Sequence, residues 1–245
     1  MVTVIRFSVV IPAFNEEQYL PRLLRSLHQA REAYEGGADA VELIVADNQS
    51  TDGTAAVALA YQCLVIPVEK RCIAAARNGG AAAARGQVLA FIDADSEVHP
   101  ETFGAIDEIL ATGKVAGGAT GVRFERQAMA ITVLSFVLSA MAWFFGVPKT
   151  YAGVVFCRRE DLEQLGGYDE QRLFAEDADF LFRLRRLARA RGQTLNTRRV
   201  APALFSMRKF DQHGDWHYLP AICGVVWDHF RGRSHAARRY WYDVR

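Results

Sequence analysis

Four short apolar runs recur in the first hundred residues, each ending on polar residues and separated by helical patterns. They are Phe7–Pro12 (FSVVIP), Val41–Ala46 (VELIVA), Cys63–Ile66 and the run inside Gln87–Glu97 (QVLAFIDADSE). FSVVIP is apolar apart from Ser8 and rich in β-branched residues, which suits a strand buried on both faces of a parallel sheet. Leu20, Leu23, Leu24 and Leu27 then follow at helical spacing, with Pro21 in the first turn, where a missing N–H costs little. An Ala-rich helix follows NQSTDGT, and Ile73–Ala84 is a helix made mostly of alanine that carries Arg77 and Asn78. Four alternations of β and α predict an α/β protein with a parallel, helix-covered sheet.

Beyond residue 98 the pattern loosens. Pro100–Leu110 reads as a helix, Val115–Gly121 as a Gly-broken strand and Tyr151–Phe156 as a strand. Gly166–Asp169 is a turn, and Glu176–Arg191 is a helix closed by Gly192. Thr197–Ser206 is weakly strand-like, and Asp215–Phe230 has the spacing of an amphipathic helix. No repeat or low-complexity linker divides the chain, so both halves are expected in one continuous domain.

The net charge of +1 offers no global basis for nucleic-acid binding, and half of the 245 residues are hydrophobic, enough for a sizeable core. The four cysteines are scattered, with no CxxC and no metal-type spacing, which fits a reducing cytosol better than a disulfide framework. MVTVIRFSVVIP runs straight into a strand pattern without the h-region and cleavage site of a signal peptide. A cytoplasmic location is expected.

The chemistry is concentrated at the ends of the four runs. In QVLAFIDADSE two carboxylates, Asp93 and Asp95, fall one residue apart where a strand ends. Open α/β sheets bind ligands at that edge. Two acids there suit a divalent cation that also holds phosphate oxygens. Asp47 can accept from a base N–H or a ribose hydroxyl, and Phe14 offers an apolar face. Arg71 and Arg77 suit phosphate oxygens, and Arg77, set among alanines, needs a partner for its charge. Together these residues describe a nucleoside diphosphate with its cation. There is no GxxxxGK[ST], and no GxGxxG follows the first run, so neither a P-loop nor a dinucleotide site is indicated.

In order along the chain, VVIPAFNEE, VADNQSTDGT, AAARNGG, FIDADS and FAEDADF resemble the motif series of the family-2 glycosyltransferases of GT-A fold, from about Phe7 to about Arg191. The resemblance implies a Rossmann-like, mostly parallel central sheet with a C-terminal acceptor-side extension, and inverting transfer of a sugar from a nucleotide-sugar donor. Residues 1–98 would then be the nucleotide-sugar-binding half and 99–212 the acceptor-binding, catalytic half of the same domain. Residues 213–245 would be a C-terminal amphipathic helix and basic tail. By position, Pro12, Ala13 and Phe14 would line the nucleoside pocket, with Glu16 and Ala94 beside it and Asp47 reaching the base. Arg71 or Arg77 would serve the pyrophosphate or base, Asp93 the ribose or donor sugar, and Asp95 would ligate Mn²⁺ or Mg²⁺.

The same resemblance places the general base in Glu176-Asp177, with Asp177 the matching residue, although acids are also favoured in a first helical turn for electrostatic reasons. Gly118 and Gly153 would keep space beside the donor sugar, with plain strand irregularity as the alternative. Arg208 would lie in a loop over the diphosphate, and His213 or His217 would complete the metal site. A UDP-sugar is the favoured donor and the acceptor is open. A polyprenyl phosphate is the rival acceptor, a sugar-phosphate nucleotidyltransferase the rival enzyme, and a non-catalytic nucleotide-binding protein the rival class.

Ala128–Pro148 carries no charge and is long enough to span a bilayer. A single crossing there would separate Asp95 from Asp177, which must meet at one site. The run is therefore expected to be a core helix, a subunit contact in a homodimer, or a helix lying in the inner membrane surface. In the last case it would be joined by the arginine-rich tail and would suit a lipid-linked acceptor.

Overall fold

The computed structural model describes residues 4–125, 153–172, 176–196 and 198–206. Ala128–Pro148, Arg208, His213, His217 and the expected C-terminal helix and tail lie outside the described residues.

The chain opens with β1 (Phe7–Ala13), α1 (Leu20–Ala33), β2 (Val41–Asp47), α2 (Thr54–Ala60), β3 (Leu64–Pro67), α3 (Ile73–Ala83) and β4 (Val88–Phe91). It continues with α4 (Thr102–Ala111), β5 (Val115–Ala119), β6 (Val122–Phe124), β7 (Val155–Arg158) and α5 (Arg159–Leu165). The last described elements are α6 (Glu176–Ala190), β8 (Thr194–Asn196) and β9 (Ala203–Phe205). One seven-stranded sheet runs in the order β3-β2-β1-β4-β7-β5-β8, and β6 pairs with β9 in a small second sheet. β3, β2, β1 and β4 are mutually parallel, while β7 lies antiparallel between β4 and β5. The sheet thus takes strands from both sides of residue 98.

Period-two alternation sorts the strand residues between two cores. Phe7, Val9 and Ile11 of β1 face the side packed with Leu23, Leu24 and Leu27 of α1 and Phe103 of α4. Val10 faces the other way, with Ile44, Leu89, Phe91 and the alanines of α3. Each leucine-sized side chain fully buried this way contributes roughly 1.5–3 kcal/mol. The small residues of α3 let it lie close to the sheet: a Cβ at Gly80 would sit 2.5 Å from Val10 Cγ1. Pro21 stands in the first turn of α1.

Strand ends differ from the sequence expectation where glycines intervene. Val115–Gly121 shortens to Val115–Ala119, and the strand expected from Tyr151 begins at Val155. Gly153 sits at φ +122, and a Cβ on it would lie 2.3 Å from the Gly121 carbonyl oxygen. That close approach bends the chain before β7 can start. Within the weakly strand-like Thr197–Ser206 lies β9, which pairs with β6, while β8 ends just before it at Asn196 and completes the main sheet beside β5.

β1 has β2 on one side and β4 on the other, so chain order reverses there. Such a reversal marks the carboxyl ends of β1 and β4 as the position where open α/β sheets hold ligands.

Candidate functional site

The parallel register sets the first three strand ends level, with Ala13 beside Asp47 and Asp47 beside Pro67. Two tight turns leave this edge, with Asn15 at φ 54 and Gln49 at φ 67. Asparagine and glutamine here bend the chain back through the left-handed region. Polar side chains then tie the loops together. The Asn15 N–H donates to Ser50 Oγ at 3.0 Å, and the Ser50 N–H donates to Asp47 Oδ1 at 3.0 Å. Asn48 donates to the Val68 and Lys70 carbonyls at 3.0 and 2.8 Å and accepts from the Cys72 N–H at 3.0 Å. This holds the β3–α3 loop over the edge. As a result, the Arg71 guanidinium stacks on the Phe14 ring, 4.1 Å from its centre.

Pro12 and Ala13 are buried within β1, and Ala94 packs in the core on the α1 side of the sheet. Glu16 is also buried; its N–H donates to Thr54 Oγ1 at 2.8 Å and its carbonyl accepts from Tyr19 and Leu20 at the start of α1. At these four positions the side chains belong to the scaffold, and the loop and strand-end backbone forms the edge.

The electrostatic centre is Arg77, buried to 3 % exposure within α3. Its Nη2 donates to Asp93 Oδ1 at 3.1 Å, and its Nη1 donates to Glu176 Oε1 at 2.6 Å and lies 3.0 Å from Asp177 Oδ1. Arg77 is one of the two arginines expected at the pyrophosphate or base. Both terminal nitrogens are taken by carboxylates, because an ion this deeply buried must be neutralised inside the protein. Burial opposes its charge, but Asp177, Glu176 and Asp93 outweigh that and raise its pKa well above the ordinary arginine value. The two acidic motifs, 84 residues apart from Asp93 to Asp177 (177 − 93), therefore meet on one guanidinium.

Asp177 and Glu176 open α6, and three carboxylates share one cation. Asp177 Oδ1 is sealed from solvent, while the side chain as a whole keeps 35 % exposure. Burial pushes its pKa up to about 7; Arg77 pulls it down, and Glu176 and Asp93 add to the rise. A carboxyl group poised near neutrality can both accept and release a proton.

Beneath Arg77 lies Tyr168, whose ring centre is 5.2 Å from the guanidinium carbon. The ring stacks on Phe180 at 4.6 Å and meets Phe91 edge-on at 5.1 Å. Burial, reinforced by the Asp177 charge, pushes its hydroxyl well above the ordinary tyrosine value. Asn78, the residue after Arg77, binds the Tyr168 backbone in both directions. Sequence reasoning missed Asn48, Asn78 and Tyr168 as organisers of this edge. Their only signals were two asparagines inside otherwise apolar or loop motifs and an aromatic residue after a Gly-Gly turn.

Asp95 is 9 % exposed just beyond β4, and Asp93 beside it is part-exposed. Among the described residues, no group of three or more His, Cys, Asp and Glu side chains is arranged to hold a metal. Two neighbouring carboxylates nonetheless fit Mg²⁺ or Mn²⁺, hard cations commonly bound through one or two carboxylates plus substrate phosphates.

The space at Gly118 is taken by the protein itself. A Cβ there would meet the Asn196 carbonyl oxygen at 2.7 Å, and at Gly153 the Gly121 carbonyl. Both glycines permit close approach between segments of this chain. At the Cβ positions of these two glycines the described geometry holds protein atoms.

With fold and geometry in place, comparison with known proteins supplies the class. The sequence model of glycosyl transferase family 2 matches residues 8–166. The chain belongs to that family, and its mostly parallel sheet with flanking helices is the GT-A fold. Among similar proteins is the minor teichoic acid biosynthesis protein GgaA of Bacillus subtilis, 26 % identical over 202 residues, covering 73 % of this chain and 43 % of that protein. Another is a dolichyl-phosphate β-glucosyltransferase of Drosophila melanogaster, 29 % identical over 164 residues, covering 58 % of this chain and 50 % of that protein. Among solved structures, the mannosyltransferase PcManGT from Pyrobaculum calidifontis, in complex with GDP-Man and Mn²⁺, superposes with TM-score 0.63 at 22 % identity, covering 81 % of this chain and 56 % of that one. S. aureus TarS 1–349 in complex with UDP-GlcNAc gives 0.61 at 19 % identity, covering 82 % and 58 %. The chain spans half or less of the length of these curated relatives.

Proposed function

We propose that this protein is a metal-dependent, inverting glycosyltransferase that moves a sugar from a nucleoside diphosphate sugar to an acceptor hydroxyl. The observation that carries the reading is the meeting of Asp93, Glu176 and Asp177 on Arg77. It joins the carboxyl edge of β4, where a donor diphosphate would lie, to a carboxyl group poised near pH 7. Family membership and the nucleotide-sugar ligands of the structural neighbours point the same way.

In this reading Phe14, Arg71 and Asp47 receive the nucleoside, and Asp93 holds the ribose or donor sugar while anchored by Arg77. Asp95, assisted by His213 outside the described residues, would hold Mn²⁺ or Mg²⁺. When bound, the cation offsets the charge that builds on the leaving diphosphate. Asp177 takes the proton of the acceptor hydroxyl as its oxygen bonds to C1 of the sugar. The C1–O bond to the diphosphate breaks on the opposite face, which inverts C1 and releases the nucleoside diphosphate. Arg208 would close over the leaving group.

The Drosophila relative favours a second reading, transfer to a polyprenyl phosphate. That acceptor is already an anion and needs no base. A panel of nucleotide sugars, UDP-sugars first, tests the main reading through Mn²⁺-dependent binding and slow hydrolysis; no binding to any member overturns it. Asp177→Asn then separates the acceptors: near-complete activity favours the phosphate. Peripheral attachment to the inner face of a membrane, through residues 128–148 and the C-terminal tail, fits either acceptor. Among the described residues no helix is long and apolar enough to cross a membrane.

A further inference from the structure

The outer face of α6 has no role in the chemistry above. The helix and the turn after it carry Arg183, Arg185, Arg186, Arg189 and Arg191, and no acid occurs between Phe180 and Val200. These arginines divide by direction. Arg183 turns toward α5, bonding the Leu165 and Gly167 carbonyls at 3.0 and 2.8 Å, and Arg191 pairs with the buried Asp161. Phe180, Leu181, Leu184 and Ala188 face the core. Phe182, Arg186 and Arg189, at i, i+4 and i+7, share the opposite stripe and are exposed, Phe182 to 53 %. Among the described residues, neither Arg186 nor Arg189 has an ion-pair or hydrogen-bond partner. Asp179, the acid of α6 nearest this stripe in sequence, is 14 % exposed and already paired with Arg172 and Arg183.

We infer that this stripe of α6 is a docking surface for a bilayer bearing anionic phospholipid headgroups. Unpaired guanidinium groups complement lipid phosphates, and long arginine side chains reach headgroups while their stems cover apolar surface. The exposed phenylalanine one turn before them selects a lipid interface over a soluble polyanion, because a ring can insert at the acyl boundary but gains little from a hydrated polymer. Phe182 is five residues beyond Asp177, about 7–8 Å along the helix axis. Docking would therefore bring the acidic end of α6 close to the bilayer surface. Binding rests on α6 alone; only its use, presenting a lipid-anchored acceptor to Asp177, rests on the proposed function.

The test is vesicle flotation of the full chain, with phosphatidylcholine alone or mixed with phosphatidylglycerol. The expected result is binding to the mixed vesicles, weakened by salt. In a Phe182→Ser/Arg186→Gln/Arg189→Gln variant the partition constant should fall by about 25-fold or more, at roughly fivefold for each arginine near an anionic surface. Substituting exposed residues keeps the fold, which circular dichroism would verify. Nucleotide-sugar hydrolysis without vesicles should be unchanged, so loss of hydrolysis in the wild type would count against the enzyme reading and not against docking. Failure of the wild type to bind the mixed vesicles would overturn the inference. So would wild-type binding by the variant, which would assign attachment to other segments, or binding to heparin without binding to vesicles.

Discussion

Asn78 Nδ2 donates to the Tyr168 carbonyl at 2.9 Å, and the Tyr168 N–H donates back to Asn78 Oδ1 at 2.8 Å. One side chain thus fixes the Gly166-Gly167 turn against α3, and with it the ring on which Arg77 rests. The fit is close: a Cβ at Gly167 would lie 2.6 Å from Asn78 Oδ1. Asn78→Ala removes both bonds and should cost about 2 kcal/mol, read as a lower urea midpoint at unchanged slope. Asn78→Asp should cost more, since an oxygen would then face the Tyr168 carbonyl and the Glu170 carboxylate, 3.0 Å from Nδ2 in the native protein.

Arg77→Met should be among the most damaging single changes. It leaves Asp93, Glu176 and Asp177 without their shared cation, and breaking a buried ion pair from one side costs about 3–5 kcal/mol. The loss should be larger at pH 8 than at pH 5, where Asp177, with its pKa raised to about 7, is protonated and adds no stranded charge. Arg77→Lys should rescue little, because one ammonium cannot reproduce the two-nitrogen fork that holds Asp93 and Glu176 apart. Thermal melts at the two pH values check both statements.

The Asp177 carboxyl group gives a signed pH prediction. Its folded pKa is raised to about 7 from an ordinary value of 3.8. Between those values the native state holds a proton that the unfolded chain releases. This contribution is therefore fully present below about pH 4 and is lost as pH rises through about 7. Asp177→Asn should flatten that part of the profile of melting temperature against pH. If Asp177 is the base, kcat/KM for a hydroxyl acceptor should rise through about pH 7. The Asn variant should lose about 10²–10⁴-fold in rate while still binding donor.

Much of this architecture was legible in residue order. Phe7–Pro12 announced a doubly buried strand because every position but Ser8 is apolar, and α1 followed from four leucines at helical spacing. Arg77 among alanines announced a buried charge, but not its partners. Coulombic pairing across 99 residues leaves no local trace, so a phosphate looked as suitable as Glu176. The insertion of β7 between β4 and β5 was equally hidden, because neighbours in a sheet need not be neighbours in sequence. The glycines of β5 suggest a close approach, but nothing in VAGGA says that Asn196 is the group that comes near.

Two glycine substitutions should move stability in opposite directions. Gly118→Ala sets a Cβ 2.7 Å from the Asn196 carbonyl at φ +151 and should cost about 3 kcal/mol or prevent folding. Gly104→Ala, in α4 with open space around it, should stabilise by about 0.5–1 kcal/mol through helix propensity and the unfolded chain. Urea denaturation of the pair separates a steric requirement for glycine from a merely tolerated one.

The span between Arg77 and Glu176 also has a consequence during translation. At roughly 5–20 residues per second, the ribosome needs about 5–20 s to supply the 99 residues separating the guanidinium from its first acid on α6. Through that interval the Ala-rich segment can settle on the nascent sheet only by burying a cation with Asp93 as its sole available counter-charge. The early half of the chain is therefore held open until Glu176 and Asp177 emerge, and nonsense fragments ending before them should be cleared as unfolded polypeptide instead of persisting as nucleotide-binding domains.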